Sequence, residues 1–206
     1  MKLIDITHPL SPQTPVLPGV AALALEKVKA LEEIGIHSYR LASTLHTGTH
    51  IDMPMHLVDD DRMAADFPID CFAGRGVLLD VRGQNPIVMD VRYADMVREG
   101  DAVLLYTGFD AQYETDTYFD AHPVVEQALA DFLVARKVKL VGMDLPAPDV
   151  VPYAIHKALL GNGIFVLENL TNLSALLEVP DFEVMALPLK LAAEASFVRA
   201  VCRVES

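Results

Sequence analysis

The sequence predicts a mixed α/β fold that forms one domain over residues 1–206. Short apolar or alternating stretches of strand length outnumber the stretches with helical spacing. The chain is 52% hydrophobic, with a mean hydropathy of +0.30, which is enough apolar material for one large core. No internal repeat, low-complexity tract or linker divides the sequence.

The amino-terminal part of the chain predicts strands separated by a stiff loop. Residues 3–6 alternate apolar and polar side chains, which is typical of a strand. Four prolines and a glycine between residues 9 and 19 prevent regular structure, so a long loop follows. Residues 22–31 are compatible with either a strand or a helix, whereas residues 38–45 predict a clearer strand.

The middle of the chain predicts an alternation of buried strands and helices. Residues 112–120 are polar and aromatic, and they form either a lid or pocket wall or an ordinary loop. Strands are expected at residues 77–81, 102–106 and 139–143. One helix is expected at residues 90–98, capped by Asp90. A second helix is expected at residues 123–137, with Pro123 in its first turn.

The carboxy-terminal part predicts a helix at residues 153–160 that ends at Gly161, followed by a buried strand at residues 164–167. The strand leads directly to Glu168, twelve residues after His156. A helix, a turn and a strand can fold back over this interval, so the two side chains could meet. Two closing strands are expected at residues 182–187 and 196–204.

One short stretch concentrates side chains that bind metals or transfer protons. It runs from His46 to His56 and has the sequence His-Thr-Gly-Thr-His-Ile-Asp-Met-Pro-Met-His. Three of the seven histidines of the chain lie in it, together with Asp52. A single histidine of this kind would more often be structural, but four such groups in so few residues indicate a functional site.

The spacing within this stretch requires a bend in the backbone. Gly48, Pro54 and the β-branched residues disfavour a helix, and a straight strand would spread the four groups over about 33 Å. We expect a strand end followed by a sharp turn, which Gly48 allows, with Met53 extended before Pro54. Imidazole nitrogen and carboxylate oxygen, brought to one point, are the donors expected for zinc, manganese or iron.

The pattern His-x-Gly-Thr-His-x-Asp-x-Pro-x-His resembles the signature of the cyclase family of metal-dependent hydrolases, which includes bacterial kynurenine formamidases and isatin hydrolases. The motif is long and specific. The resemblance continues through Tyr-Thr-Gly at 106–108, Gly-Met-Asp at 142–144, Pro-Tyr-Ala-Ile-His-Lys at 152–157 and Glu-Asn-Leu-Thr-Asn-Leu at 168–173. It therefore covers nearly the whole chain.

The resemblance implies a role for each candidate residue of the site. It implies that His46, His50 and Asp52 bind one metal ion, that Asp52 bridges to a second ion held by His156 and Glu168, and that His56 is the catalytic acid/base. Zn²⁺ is the first expectation, with one or two ions per subunit, and Mn²⁺ is the alternative. The resemblance further implies the swivelling β/β/α fold, a homodimer or homotetramer, and an amino-terminal loop that borders the active site. A surface connection is the other interpretation of that loop.

Two departures from the family pattern bear on the substrate. Family members often have Phe after the last motif histidine and Ser near position 147, whereas this chain has Leu57 and Ala147. The chain also has no Trp, so an aromatic pocket would need Phe or Tyr. These departures leave the metal ligands intact.

Composition excludes several classes of function. A formal net charge of −13 opposes binding to nucleic acid, because phosphate binding requires clustered Lys and Arg. No run of about 20 apolar residues predicts a membrane span, and Lys2 and Asp5 interrupt the start before any signal-peptide core forms, so a cytoplasmic protein is expected. Cys71 and Cys202 have no CxxC spacing and are expected to be reduced core residues.

These expectations combine into a metal-dependent amide hydrolase that takes a small-molecule substrate. An enzyme resembling arylformamidases would cleave N-formylkynurenine or a related aryl or cyclic amide with a water activated by bound metal, and His56 would protonate the departing nitrogen. Two alternatives stay open: a hydrolase of lactones or cyclic imides, and a metal-binding protein without turnover.

Overall fold

The computed structural model describes residues 1–205 and shows a mixed α/β fold, which confirms the predicted fold class. The strands are β1 (Lys2–Asp5), β2 (Ala24–Lys29), β3 (Ser38–Ala42), β4 (His50–Asp52), β5 (Ala73–Asp80), β6 (Ala102–Tyr106), β7 (Leu140–Met143), β8 (Phe165–Glu168), β9 (Phe182–Pro188) and β10 (Ala195–Val204). The α-helices are α1 (Leu31–Ile34), α2 (Tyr93–Met96), α3 (Gln127–Ala135) and α4 (Ala154–Leu160). Short 3₁₀ helices lie at Pro54–His56, Ala64–Asp66, Ile69–Phe72, Phe109–Gln112 and Leu173–Leu176.

Seven of the strands close into a barrel. Their order is β10, β4, β8, β7, β6, β5, β9, and β9 pairs again with β10. The pairs β5–β6, β6–β7 and β7–β8 are parallel, and the remaining pairs of the barrel are antiparallel. β1 extends the sheet beside the last residues of β10. Closure pairs the strand edges that an open sheet would expose.

The core has two parts, one on each face of the barrel wall. Leu104 belongs to the cluster shared by all seven barrel strands, whereas its neighbours Val103 and Leu105 belong to the cluster under α3 and α4. Because successive side chains of a strand point to opposite faces, a strand covered on both sides becomes a continuous apolar run. This is why Ala102–Tyr106 has the predicted bounds.

The strands β2 and β3 form a separate antiparallel hairpin. The ambiguous stretch at residues 22–31 thus becomes strand β2, and α1 begins directly after it. The strand predicted at residues 38–45 ends earlier, at Ala42, because the chain turns toward the barrel.

Two helices are shorter than the sequence predicts. The helix expected at residues 90–98 is confined to Tyr93–Met96. Asp90 does not cap this helix, because its side chain accepts a hydrogen bond from the Arg92 amide in the preceding turn. The helix expected at residues 123–137 begins only at Gln127. Before it, the Glu126 amide donates to Ile87 and the Val125 amide donates to Pro148, so these amides are satisfied by loop pairing.

Both cysteines are free, with Cys202 buried and Cys71 half-buried, as expected for reduced core residues. Within the described part of the chain, no helix has the length and apolar character that crossing a membrane requires.

Candidate metal centre

The histidine-rich stretch folds as a turn, a short strand and a 3₁₀ helix. The end of β3 is followed by the turn that contains Gly48, as expected, whereas the short strand β4 after this turn was not predicted. Gly48 in this turn has φ of 63°, and a Cβ there would lie 2.5 Å from Leu10 Cδ2. The backbone conformation and the lack of space both favour glycine. Met53 is extended before Pro54, as expected.

Strand β4 brings the motif beside Glu168. It lies in the barrel wall between β10 and β8, and its residue His50 is the direct partner of Glu168 in the antiparallel pair. His50 Nε2 lies 3.3 Å from Glu168 Oε2 and 3.5 Å from Asp52 Oδ1. The barrel register therefore joins two parts of the chain that are far apart in sequence.

Helix α4 delivers His156 to the same point. His156 Nε2 lies 3.0 Å from Glu168 Oε1 and 3.9 Å from Asp52 Oδ2. His46, in the turn before β4, places Nδ1 at 3.0 Å from Asp52 Oδ1. The structure thus brings together all five side chains that the family resemblance implied as metal ligands.

These side chains form two overlapping groups that share Asp52. The donors of His46, His50 and Asp52 lie within 4.8 Å of one another, and so do the donors of Asp52, His156 and Glu168. His50 Nε2 and both carboxylate oxygens of Asp52 are buried and have no hydrogen-bond partner. Buried polar atoms without a hydrogen-bond partner are costly, so this set fits a bound cation that would coordinate them.

The outer nitrogens of two histidines are held by other groups. His50 Nδ1 lies 2.8 Å from the Gly48 carbonyl, which only accepts hydrogen bonds, so Nδ1 carries a proton and Nε2 is the nitrogen that faces the cluster. His156 Nδ1 lies 2.5 Å from Asp149 Oδ1 and donates to it. Such contacts behind the ring fix the tautomer that a metal ligand needs.

The site favours positive charge although it is buried. Burial lowers the pKa of His50, but the Asp52 charge and the Glu168 carboxylate outweigh burial and raise this pKa to about 9. Burial opposes the charged form of His156 too, and Asp149 and Glu168 raise its pKa to about 10. Burial raises the pKa of Asp52, but His50 and His46 reverse this and keep it below its usual value. The carboxylates therefore remain charged and attract a cation.

His56 stands next to this cluster. Its ring centroid lies 4.1 Å from that of His46 and 6.2 Å from that of His156. Burial lowers the pKa of His56, and the Asp52 charge opposes this only in part, so the imidazole is mainly neutral at pH 7. A neutral imidazole beside the cluster can accept a proton and return it.

A cavity of about 480 Å³ opens onto the cluster. Its base includes Asp52, His56 and Glu168, and its apolar wall is formed by Pro15, Leu17, Val20, Leu57, Phe119, Val150 and Val151. The proline-rich loop therefore borders the site. Phe119 comes from the segment considered as a pocket wall, and Tyr153 adds a second aromatic ring. A cleft of about 510 Å³ elsewhere is lined by Arg75, Asp95 and Phe182 among others and includes none of the cluster residues.

Sequence reasoning missed three residues around the centre. Asp149 binds the back of His156, and its Oδ2 also accepts from the Ile155 amide at the start of α4. Glu194 Oε1 lies 3.4 Å from His46 Nε2. His122 lies on the cavity wall, where its Nδ1 donates to the Phe119 carbonyl. No local pattern identified Asp149, because its contact with His156 depends on the path of the loop before α4.

Comparison with known proteins identifies relatives along almost the whole chain. The family model described as putative cyclase matches residues 4–150. A kynurenine formamidase of Bacillus cereus is 31% identical over 205 residues, which are 97% of this chain and 96% of the relative. A kynurenine formamidase of Bacillus anthracis is 31% identical over 207 residues, or 98% and 97% of the two chains.

Solved structures show the same fold. Isatin hydrolase A from Labrenzia aggregata, bound to benzyl benzoate, superposes with a TM-score of 0.88 over 100% of this chain and 94% of its own, at 23% identity. The expected cyclase-type fold is therefore confirmed.

Proposed function

The chain belongs to the putative cyclase family, and from this membership we propose that it is a metal-dependent arylformamidase-like enzyme. It is a hydrolase that acts on carbon–nitrogen bonds other than peptide bonds. The proposed substrate is N-formylkynurenine or a related aryl or cyclic amide. The shared Asp52 between two metal-binding groups, at the base of an apolar cavity, is the observation that carries this proposal.

The donor set supports Zn²⁺, with Mn²⁺ as the alternative, and its two groups would hold up to two ions. His46, His50 and Asp52 would hold one ion, and Asp52, His156 and Glu168 would hold the other. When bound, the ions supply Lewis acidity that polarises the amide carbonyl and lowers the pKa of the attacking water.

His56 would carry the proton in both halves of the reaction. Because its pKa is lowered, it starts neutral and takes a proton from the water as the new carbon–oxygen bond forms. It then gives this proton to the amide nitrogen as the carbon–nitrogen bond breaks. The products are a carboxylic acid and an amine, and His56 returns to its neutral form.

The cavity wall supports a substrate with one small ring system. Its volume is within the range of small-molecule sites, and its lining is mostly apolar. Phe119 and Tyr153 provide aromatic surface without Trp, so the Phe or Tyr surface expected from the sequence is present. Apolar walls would hold the ring, and the reacting amide would lie against the histidines and carboxylates at the base.

A hydrolase of lactones or cyclic imides is the second candidate. The similarity of the fold to isatin hydrolase A favours it, since that fold accommodates a cyclic substrate. A metal-binding protein without turnover is the third candidate, and the presence of His56 beside a full ligand set argues for an enzyme.

The deciding experiment is an activity screen of metal-loaded protein. We would compare kcat/KM for N-formylkynurenine, simple formanilides, isatin, a lactone and a cyclic imide, with the His56→Ala variant as the blank. Formyl aryl amides should give the highest values. Turnover of the lactone or imide without cleavage of any formyl amide would favour the second candidate, and no turnover at all would favour the third.

A further inference from the structure

Asn169 is a polar residue of the cavity that has no role in the steps assigned to the metal ligands and His56. It follows β8 directly, so it is the chain neighbour of the proposed ligand Glu168. The residue is only 5% exposed, and it lines the cavity that opens onto the cluster. A polar side chain buried to this extent normally has a hydrogen-bond partner for its donors and acceptors.

The backbone of Asn169 is held from two sides. Its amide donates to the Leu145 carbonyl over 2.9 Å, and its carbonyl accepts from the Thr49 hydroxyl over 2.5 Å. Its φ of 54° lies in the left-handed region, which asparagine tolerates better than most residues that carry a side chain. Neighbouring segments therefore keep this backbone in a conformation that costs free energy, as is typical of functional sites.

The side-chain amide of Asn169 is oriented by Tyr118. The Tyr118 hydroxyl donates to Asn169 Oδ1 over 2.8 Å, and burial raises the pKa of this hydroxyl, so it keeps the proton that it donates. The Tyr118 ring is fully buried, and its centroid lies 5.6 Å from that of Phe109 and 5.3 Å from that of Tyr113. These rings fix the hydroxyl, and the hydroxyl fixes the direction of the amide.

The Nδ2 atom is the remaining hydrogen-bonding group of Asn169. No acceptor in the described part of the chain pairs with it, and it is not one of the enclosed unpaired atoms such as His50 Nε2 and Asp52 Oδ1. Because Asn169 lines the cavity, its two N–H groups open into this space. The cavity therefore contains a neutral donor whose direction is fixed before a ligand arrives.

The cavity offers few other side-chain donors. Among the described residues that line it, none is Lys or Arg. Apart from the histidines and Asn169, the lining residues with a donor on the side chain are Thr44 and Tyr153, and the Thr44 hydroxyl pairs with Thr47. Amide hydrolysis places negative charge on the carbonyl oxygen as water attacks, and a preorganised neutral donor stabilises that charge. Asn169 Nδ2 is the group of this lining that best fits the task.

We propose that Asn169 is a catalytic residue whose Nδ2 donates a hydrogen bond to the carbonyl oxygen of the amide substrate while water attacks the carbonyl carbon. No covalent bond to Asn169 forms, and no proton leaves it. Tyr118 is a positioning residue, because it acts only through Asn169. The inference rests on the proposed amide hydrolysis, and it adds a donor from the protein to the Lewis acidity that bound metal supplies.

Asn169→Gly tests the donor, because glycine adopts the same φ and only the side chain is lost. Removal of one preorganised donor should lower kcat at least about 10²-fold, with KM and metal content within about twofold of the wild type. Asn172→Gly is the matched control. Asn172 also has a positive φ, of 58°, but it is exposed and does not line the cavity, so this variant should keep the wild-type kcat.

Asn169→Asp removes the donor but keeps the side chain. Its carboxylate still offers an acceptor to the Tyr118 hydroxyl, and the amide hydrogens are replaced by an oxygen that repels a charged carbonyl oxygen. The kcat should fall at least as far as in Asn169→Gly, while circular dichroism matches the wild type. If Asn169→Gly does not fold, Asn169→Asp decides the proposal.

A substrate with sulfur in place of the carbonyl oxygen separates a hydrogen bond from a structural role. Sulfur is a weak acceptor, so kcat for an N-thioformyl aryl amine should fall at most about tenfold in Asn169→Gly, against at least about 10²-fold for the formyl amide. Equal losses on the two substrates, or a kcat for the formyl amide equal to that of Asn172→Gly, overturn the role of Asn169 and leave the proposed function standing. A metal-loaded wild type that hydrolyses no amide overturns both.

Discussion

The Asp149 carboxylate lies directly behind the His156 ring, with Oδ1 at 2.5 Å from Nδ1, and the other oxygen accepts from the Ile155 amide. This one side chain therefore fixes both the start of α4 and the orientation of a proposed metal ligand. With Nδ1 donating to Asp149, Nε2 is left to face Glu168 and Asp52.

Asp149→Asn should weaken metal binding about 10- to 100-fold, because the amide no longer supplies a negative charge behind the His156 ring. Titration of chelated protein with Zn²⁺ by calorimetry measures the effect. Asp181→Asn removes an exposed carboxylate and serves as the control. Equal affinity of the two variants would exclude a supporting role for Asp149.

His56→Ala should retain the fold and the metal but lose about 10² to 10⁴ in kcat, because the proton carrier is removed while the ligands stay. The comparison requires rates and metal content from the same preparation. His37→Ala, at an exposed histidine outside the motif, should behave as the wild type. Near-normal rates of His56→Ala across pH would show that another group transfers the proton.

Asp52→Ala should lose metal from both groups at once, since Asp52 belongs to each. Glu168→Ala, in contrast, removes a donor from only one group and should leave partial binding. Metal content per chain, measured by elemental analysis after dialysis, distinguishes the two variants. Full metal content in Asp52→Ala would contradict the shared role.

Metal affinity should rise with pH up to about pH 9 to 10. The pKa values of His50 and His156 are raised to about 9 and about 10, so both rings are protonated at pH 7 in metal-free protein. A cation must displace these protons, so binding at pH 7 should release about two of them, and affinity should fall toward acid pH. Calorimetry in buffers of different ionisation enthalpy counts the released protons. A count of zero would show that both rings are already neutral at pH 7 in the metal-free protein, contrary to their raised pKa values.

Gly48→Ala should destabilise the protein more than Gly19→Ala, by about 1 to 3 kcal/mol. Both glycines have positive φ, but only at Gly48 would the added Cβ meet another atom, Leu10 Cδ2 at 2.5 Å. Gly19 has open space around it, so its variant measures the backbone cost alone. Denaturant unfolding of the two variants gives the difference. An equal loss of unfolding free energy in the two variants would show that the loop around Leu10 shifts to accept the added methyl group without cost.

The sequence predicted those parts of the molecule that depend on local pattern. The strand at Ala102–Tyr106 is buried on both faces, and its unbroken apolar run gave the correct bounds. The motif from His46 to His56 indicated a metal centre because its donor types are chemically specific. The possible meeting of His156 and Glu168 followed from the short helix, turn and strand between them.

The parts that could not be predicted depend on contacts between distant segments. The pairing of His50 with Glu168 is set by the barrel register, which no local pattern encodes. The late start of α3 reflects the hydrogen bonds of Val125 and Glu126 to Pro148 and Ile87. The role of Asp149 depends on the path of its loop, which ends at Tyr153 with a φ of 61°.

The central claim is that the cluster around Asp52 performs metal-dependent amide hydrolysis. Its most direct test is the rate of N-formylkynurenine hydrolysis as Zn²⁺ or Mn²⁺ is returned to chelated protein. The account predicts a rate at the level of the His56→Ala blank after chelation, and recovery in proportion to bound metal up to at most two ions per chain. Hydrolysis that continues unchanged in fully chelated protein would contradict it.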